Sequence, residues 1–166
     1  MQKLQLLKFI VPELEYGIGV SQNKHHPYEV YEHLTRSLGA SAEKKYNLEV
    51  RLAALLHDIG KLGVSNSVLD KPGKLDDLEW EQIRMHPVYS DEILSRIDTF
   101  KDLSPIARGH HEKLDGRGYP DGLTTSRISM ETRIVTTADI FDALTAERPY
   151  RGPMPLPKAL GIMESE

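Results

Sequence analysis

The chain has 166 residues, enough for one domain with a sizeable buried core, and its 21 Lys and Arg against 25 Asp and Glu leave a formal net charge of -4. That balance excludes a broad basic field for a large nucleic acid, while leaving local cations able to grip a small phosphate ligand. With no cysteine there is no disulfide framework, thiolate zinc knuckle or cysteine nucleophile, so any metal site must use nitrogen and oxygen donors.

The apolar start around Leu4, Leu6, Leu7, Phe9, Ile10 and Val11 is short and is broken by Lys8, Pro12 and Glu13. It resembles neither a signal h-region nor a membrane span, so a soluble cytoplasmic protein without a membrane partner is expected. Residues 1–26 read as a helical leader packed on a domain spanning 27–166. A helix is predicted from Pro27 to about Lys45, with proline in the first turn and Val30, Leu34 and Leu38 on one face. Glu29 and His33 lie four apart on one side of it, and His25 and His26 read as solvated residues at its start.

From about Leu48 to Ile59 the density of Leu, Val and Ala predicts a buried helix ending near Gly60, which delivers His57 and Asp58 at its C-terminal end. The next stretch, through Val64 to Asp77, is rich in Ser, Asn, Asp, Gly and Pro and reads as a long loop placed to cover a site. Asp77 is the expected cap of a helix running through Trp80, read as a core residue, and Ile83 to His86; Pro87 then opens another helix. A helix through Ile106 and Ala107 presents His110 and His111, and a further one from about Ser129 to Ala146 presents Asp139 and Asp142. Nothing alternates at period two long enough to suggest a sheet, and the sequence ends inside a helical-looking stretch, hinting at a piece of a longer chain.

The candidate metal ligands are therefore His33, His57, Asp58, His86, His110, His111 and Asp139, too many for one ion. Adjacent histidines on a helix point roughly 100° apart, so His110 and His111 suit two neighbouring metals rather than one. A carboxylate such as Asp58 can give one oxygen to each of two metals about 3.5 to 4 Å apart, which together activate a hydroxide and clamp a phosphoryl group. Lys61, just past Gly60, is read as a stabiliser of charge developing on phosphorus, against the alternative of a solvated surface lysine. Glu29 either reaches a third metal or solvates its helix face, and Asp142 is read as orienting a ligand by a hydrogen bond.

Taken together, His57-Asp58-Ile59-Gly60-Lys61, Leu69 to Leu75, His86-Pro87, the complete HHExxDGxGYP run from His110 to Pro120, Ala138 to Ala143 and Arg148-Pro149-Tyr150-Arg151 resemble the HD-GYP family. This is a branch of the HD-domain metal-dependent phosphohydrolases, and the eleven-residue run in order with the other motifs is highly specific. The resemblance implies an all-α HD-domain bundle of about six to eight helices. It also implies a two-metal or three-metal centre of iron or manganese that hydrolyses cyclic di-GMP; the leading expectation is in-line attack of a metal-bridging hydroxide held by Asp58, giving pGpG, with a further cut to GMP left open. His33, His57, Asp58, His86, His110, His111 and Asp139 match the family's ligand positions, and Glu29 matches the extra carboxylate of its three-metal members. Tyr119, Arg148 and Arg151 match positions associated with substrate. The segment QNKHHPYEVYEHL looks more like the HD domain appended to tRNA nucleotidyltransferases. Two other readings stay open: an idle module docking a diguanylate cyclase (GGDEF) domain through the Gly-Tyr-Pro loop, and hydrolysis of another cyclic nucleotide.

Overall fold

The computed structural model describes residues 47–146 and 152–165. The expected leader, the helix from Pro27 to Lys45 with Glu29 and His33, and Arg148 and Arg151 lie outside the described residues. Among the described residues the fold is all-α, as expected, with no strand beyond an isolated antiparallel bridge between Asp115 and Thr124.

Helix α1 (Leu48–Leu56) starts at Asn47, whose side chain accepts from the Val50 amide, and Glu49 sits in the first turn where a negative charge suits the helix dipole. Its Val50, Ala53, Ala54, Leu55 and Leu56 are buried. The helix stops at Leu56, short of the expected Ile59, because the chain tightens into a 3-10 helix over Ile59–Gly63. The cause is tertiary. Gly60 lies so close under the next element that a Cβ there would fall 2.0 Å from the His86 carbonyl oxygen and 2.4 Å from the Ser90 amide. Buried Ser90 fastens the crossing: its hydroxyl donates to the His57 carbonyl at 2.7 Å and accepts from the Gly60 amide at 2.9 Å.

The stretch from 63 to 77 is not one long loop. It contains a one-turn helix, α2 (Asn66–Leu69), capped by Ser65 and anchored by buried Val68. Helix α3 (Asp77–Arg84) is capped by Asp76 rather than Asp77, since only Asp76 stands three residues before Glu79 and completes a reciprocal capping box with it. Glu79 also receives Lys71, tying the Pro72-Gly73 turn to this helix. Trp80, expected in the core, is 47% exposed: α3 lies at the margin of the bundle, with α2 and α4 as its main neighbours, and buries none of its residues fully.

Helix α4 (His86–Leu94) follows after Met85 with Pro87 in its first turn, so His86 sits at the predicted junction. A 3-10 turn over Asp98–Leu103 leads into α5 (Ser104–Gly109), which packs on α4. Ser129 caps α6 (Met130–Thr145), and α7 (Leu156–Ser165) packs on α6. Leu56, Leu94, Phe100, Leu103, Ala107 and Val135 belong to one core cluster, and α1, α4, α5 and α6 meet around it. No helix among the described residues is long and apolar enough to cross a membrane.

Leu94 is fully buried at the centre of this cluster. Leu94→Ala is expected to lower unfolding free energy by about 2–5 kcal/mol, read as a lower urea midpoint with an unchanged m-value.

Candidate metal centre

Three helix ends supply the site. His57 is the C-cap of α1, His110 is the C-cap of α5, and His86 follows the end of α3. Each ring turns back on the helix it leaves: Nδ1 of His57 donates to the Ala54 carbonyl at 3.0 Å, that of His86 to Ile83 at 2.6 Å, and that of His110 to Ala107 at 2.5 Å. All three bonds span three residues, and the acceptors are last-turn carbonyls, the groups that a helix end leaves short of partners. In the neutral imidazole, the form in which histidine binds a metal, this donation leaves the lone pair on Nε2.

Those lone pairs converge. One ligating atom from each of Asp58, His86, His110 and His111 lies within 4.8 Å of the others. Nε2 of His86 stands 3.2 Å from Nε2 of His110 and 3.2 Å from Asp58 Oδ1. His57 Nε2 lies 3.6 Å from Asp58 Oδ2 and 3.7 Å from Asp139 Oδ1, so His57 and α6 adjoin the group. Two imidazole lone pairs face to face beside a carboxylate repel one another unless a cation lies between them. Nitrogen and oxygen donors in this arrangement fit a divalent first-row metal. Six of the seven candidate ligands are thus brought together, while His33 lies outside the described residues.

The expectation that His110 and His111 diverge is overturned. It requires a helix running through both, but α5 ends at Gly109 and His111 lies in the following turn. Freed from helical geometry, the two rings come to 4.0 Å between centroids and aim at the same group.

Burial sets the electrostatics. It pushes the His110 imidazole well below its ordinary range and, with His86 beside it, brings His111 down to about 4. Burial alone would raise Asp58, yet Lys61, then His57 and His86, hold it well below the usual carboxylate range. Lys61 is not simply a solvated lysine: its ammonium meets Asp58 Oδ2 at 2.5 Å. Asp142 lies half-buried on α6, three residues beyond Asp139.

The rest of the signature builds a wall beside these donors. Tyr119 stacks on His111 with centroids 4.8 Å apart and planes 26° apart, and its amide donates to the His111 carbonyl. Gly118 makes that approach possible, because a Cβ there would fall 2.3 Å from the Lys113 amide and 2.4 Å from the Glu112 Cα. Glu112, buried, receives the amides of Asp121 at 2.7 Å and Leu123 at 2.8 Å. Arg108 holds Asp121 through two hydrogen bonds and reaches Asp91 on α4. Glu112, Arg108 and Ser90 have no role in the sequence reading. Glu112 stands within the signature itself, whereas nothing local marks Arg108 or Ser90, whose partners are distant in sequence.

Two predictions follow from this geometry. Glu112→Ala should cost about 1–3 kcal/mol and accelerate amide exchange at Asp121 and Leu123, with Glu112→Gln losing less. Because folding depresses the His111 pKa, the unfolded chain binds more protons below about 6.5, so metal-free protein should lose stability as pH falls from there to about 4. Thermal melts in the presence of a chelator test this, and His111→Gln should flatten the dependence.

A family model described as HD domain matches residues 3–166. A Vibrio cholerae protein named 3′3′-cGAMP-specific phosphodiesterase 3 is 63% identical over 115 residues, 69% of this chain and 25% of that protein. A cyclic di-GMP phosphodiesterase response regulator of Xanthomonas campestris is 42% identical over 80% of this chain and 35% of its own length. A cyclic di-GMP phosphodiesterase of Thermotoga maritima is 43% identical over 70% of this chain and 32% of its own length. The chain thus spans a quarter to about a third of the length of these relatives. With a family model covering nearly its whole length and the His110–Pro120 signature intact, the chain belongs to the HD domain family, in its HD-GYP branch.

Proposed function

We propose that this domain is a metal-dependent phosphodiesterase acting on a 3′,3′-linked cyclic dinucleotide. The observation that carries the reading is the buried convergence of Asp58, His86, His110 and His111, with the Nδ1 atoms of His86 and His110 already committed to carbonyls. In this reading His57, Asp58, His86, His110, His111 and Asp139, completed by His33, would hold two divalent ions, iron or manganese, and Glu29 would be a ligand only of a third. When bound, the metals supply Lewis acidity that activates water and neutralises charge on the phosphoryl oxygens. Asp58 turns Oδ2 toward His57 and Oδ1 toward His86, so it is the carboxylate that would serve both ions.

The chain's own groups do the rest. A water oxygen bonds to phosphorus in line with the departing 3′ oxygen, that P–O bond breaks, and the water proton ends on the leaving oxygen. Lys61, held at Asp58, offers its ammonium to the charge that builds on the phosphoryl oxygens. Tyr119 bounds the substrate beside His111, and Arg148 and Arg151 are assigned to phosphate contacts by their motif. The product is a linear dinucleotide, pGpG in the case of cyclic di-GMP, with a second cut to GMP. A second substrate, 3′3′-cGAMP, is favoured by the Vibrio cholerae relative that is 63% identical and named for it.

Protein prepared without oxygen and loaded with Fe(II) or Mn(II) should hydrolyse cyclic di-GMP, 3′3′-cGAMP or both, resolved by chromatography. Asp58→Ala should cut turnover on the order of a thousandfold or more. Elemental analysis should find two or three metals per chain, and a fall by one in Glu29→Ala would give that residue its metal. Binding of both dinucleotides with no hydrolysis would overturn the enzyme reading in favour of an interaction module that docks a cyclase domain.

A further inference from the structure

One cation at the site is absorbed by neither the ligand set nor the motif. Arg84, the last residue of α3 and exposed to solvent, places its guanidinium carbon 5.7 Å from the centroid of the Tyr119 ring, within the range of a cation–π contact. Tyr119 in turn stacks on His111, one of the four converging donors. Arg84 therefore stands one aromatic ring away from the place where a reacting phosphate would sit. Arginine in the last turn of a helix is ordinary, since a positive charge there suits the dipole. The dipole, however, does not require the side chain to lie over a particular ring, least of all one thirty-five positions beyond its own helix and beside a metal cluster.

We infer that Arg84 is a substrate-binding residue that holds the second, non-reacting phosphate of a cyclic dinucleotide, and this rests on the proposed function above. A guanidinium over an aromatic face keeps its N–H donors in its own plane, where they suit two phosphate oxygens at once. A macrocycle with two phosphodiesters supplies such an anion: when one phosphate lies among the donors, the other is carried one nucleoside away, and Arg84 at Tyr119 is the cation placed to meet it. Lys61 cannot fill this place, because its ammonium is held at Asp58.

The test compares Arg84→Ala and Arg84→Lys with the parent, all loaded with Mn(II), on cyclic di-GMP, on 3′3′-cGAMP and on bis(p-nitrophenyl) phosphate, which has a single phosphate. Arg84→Ala should raise KM for the cyclic dinucleotide about tenfold or more with kcat within about twofold, and leave the simple diester unchanged. Arg84→Lys should recover part of the loss, and added KCl should raise KM of the parent more steeply than that of Arg84→Ala. An unchanged KM for both dinucleotides overturns the assignment while leaving the proposed function intact. Equal loss on dinucleotide and simple diester also overturns it, because Arg84 would then only support Tyr119. A parent that cuts the simple diester and neither dinucleotide overturns the proposed function and the assignment together.

Discussion

The bond from a histidine Nδ1 to the carbonyl three residues back is the contact on which the site depends. It occurs at His57, His86 and His110, each time at or just beyond a helix end. A helix terminus leaves carbonyls without partners, and a buried imidazole needs its ring N–H satisfied, so each answers the other's deficit. The remaining nitrogen is left as a lone pair with a defined direction. Because the helices that carry these rings pack on one core, those directions meet.

Such a site taxes the fold. Several ionisable groups are withdrawn from water, and burial favours the neutral imidazole at His110 and His111. Around them the structure leaves little slack. Ser90 fastens the turn after His57 to α4, Thr136 on α6 donates to the His110 carbonyl, and Gly60 permits the crossing that a larger residue would block. Glu112 and Arg108 hold the loop carrying Tyr119 from two sides, so the face that stacks on His111 is set by bonds formed well away from it.

Local pattern read much of the helical order correctly, because caps and breakers act over three or four residues. Pro87 marks the start of α4, Ser129 caps α6, and apolar density over Leu48 to Leu56 gives a buried helix. The failures have a common cause in contacts remote in sequence. The α1 helix ends early because α4 crosses at Gly60, and Trp80 stays exposed because its short helix runs along the margin. Asp76 and Asp77 are a different case: adjacent acids compete for one cap, and the position of Glu79 decides between them.

The sequence by itself determined the chemistry available: a cysteine-free chain with imidazole and carboxylate donors placed at helix ends, and a signature whose glycines and tyrosine stand at set intervals from two histidines. Residue type and short-range spacing suffice for that, since helix periodicity and capping are local. Only the tertiary structure decided that His110 and His111 face one group instead of two, that Lys61 meets Asp58, and that Arg84 lies over Tyr119. Those outcomes depend on where a helix stops and on which distant element packs against it, and neither is written in the neighbouring residues.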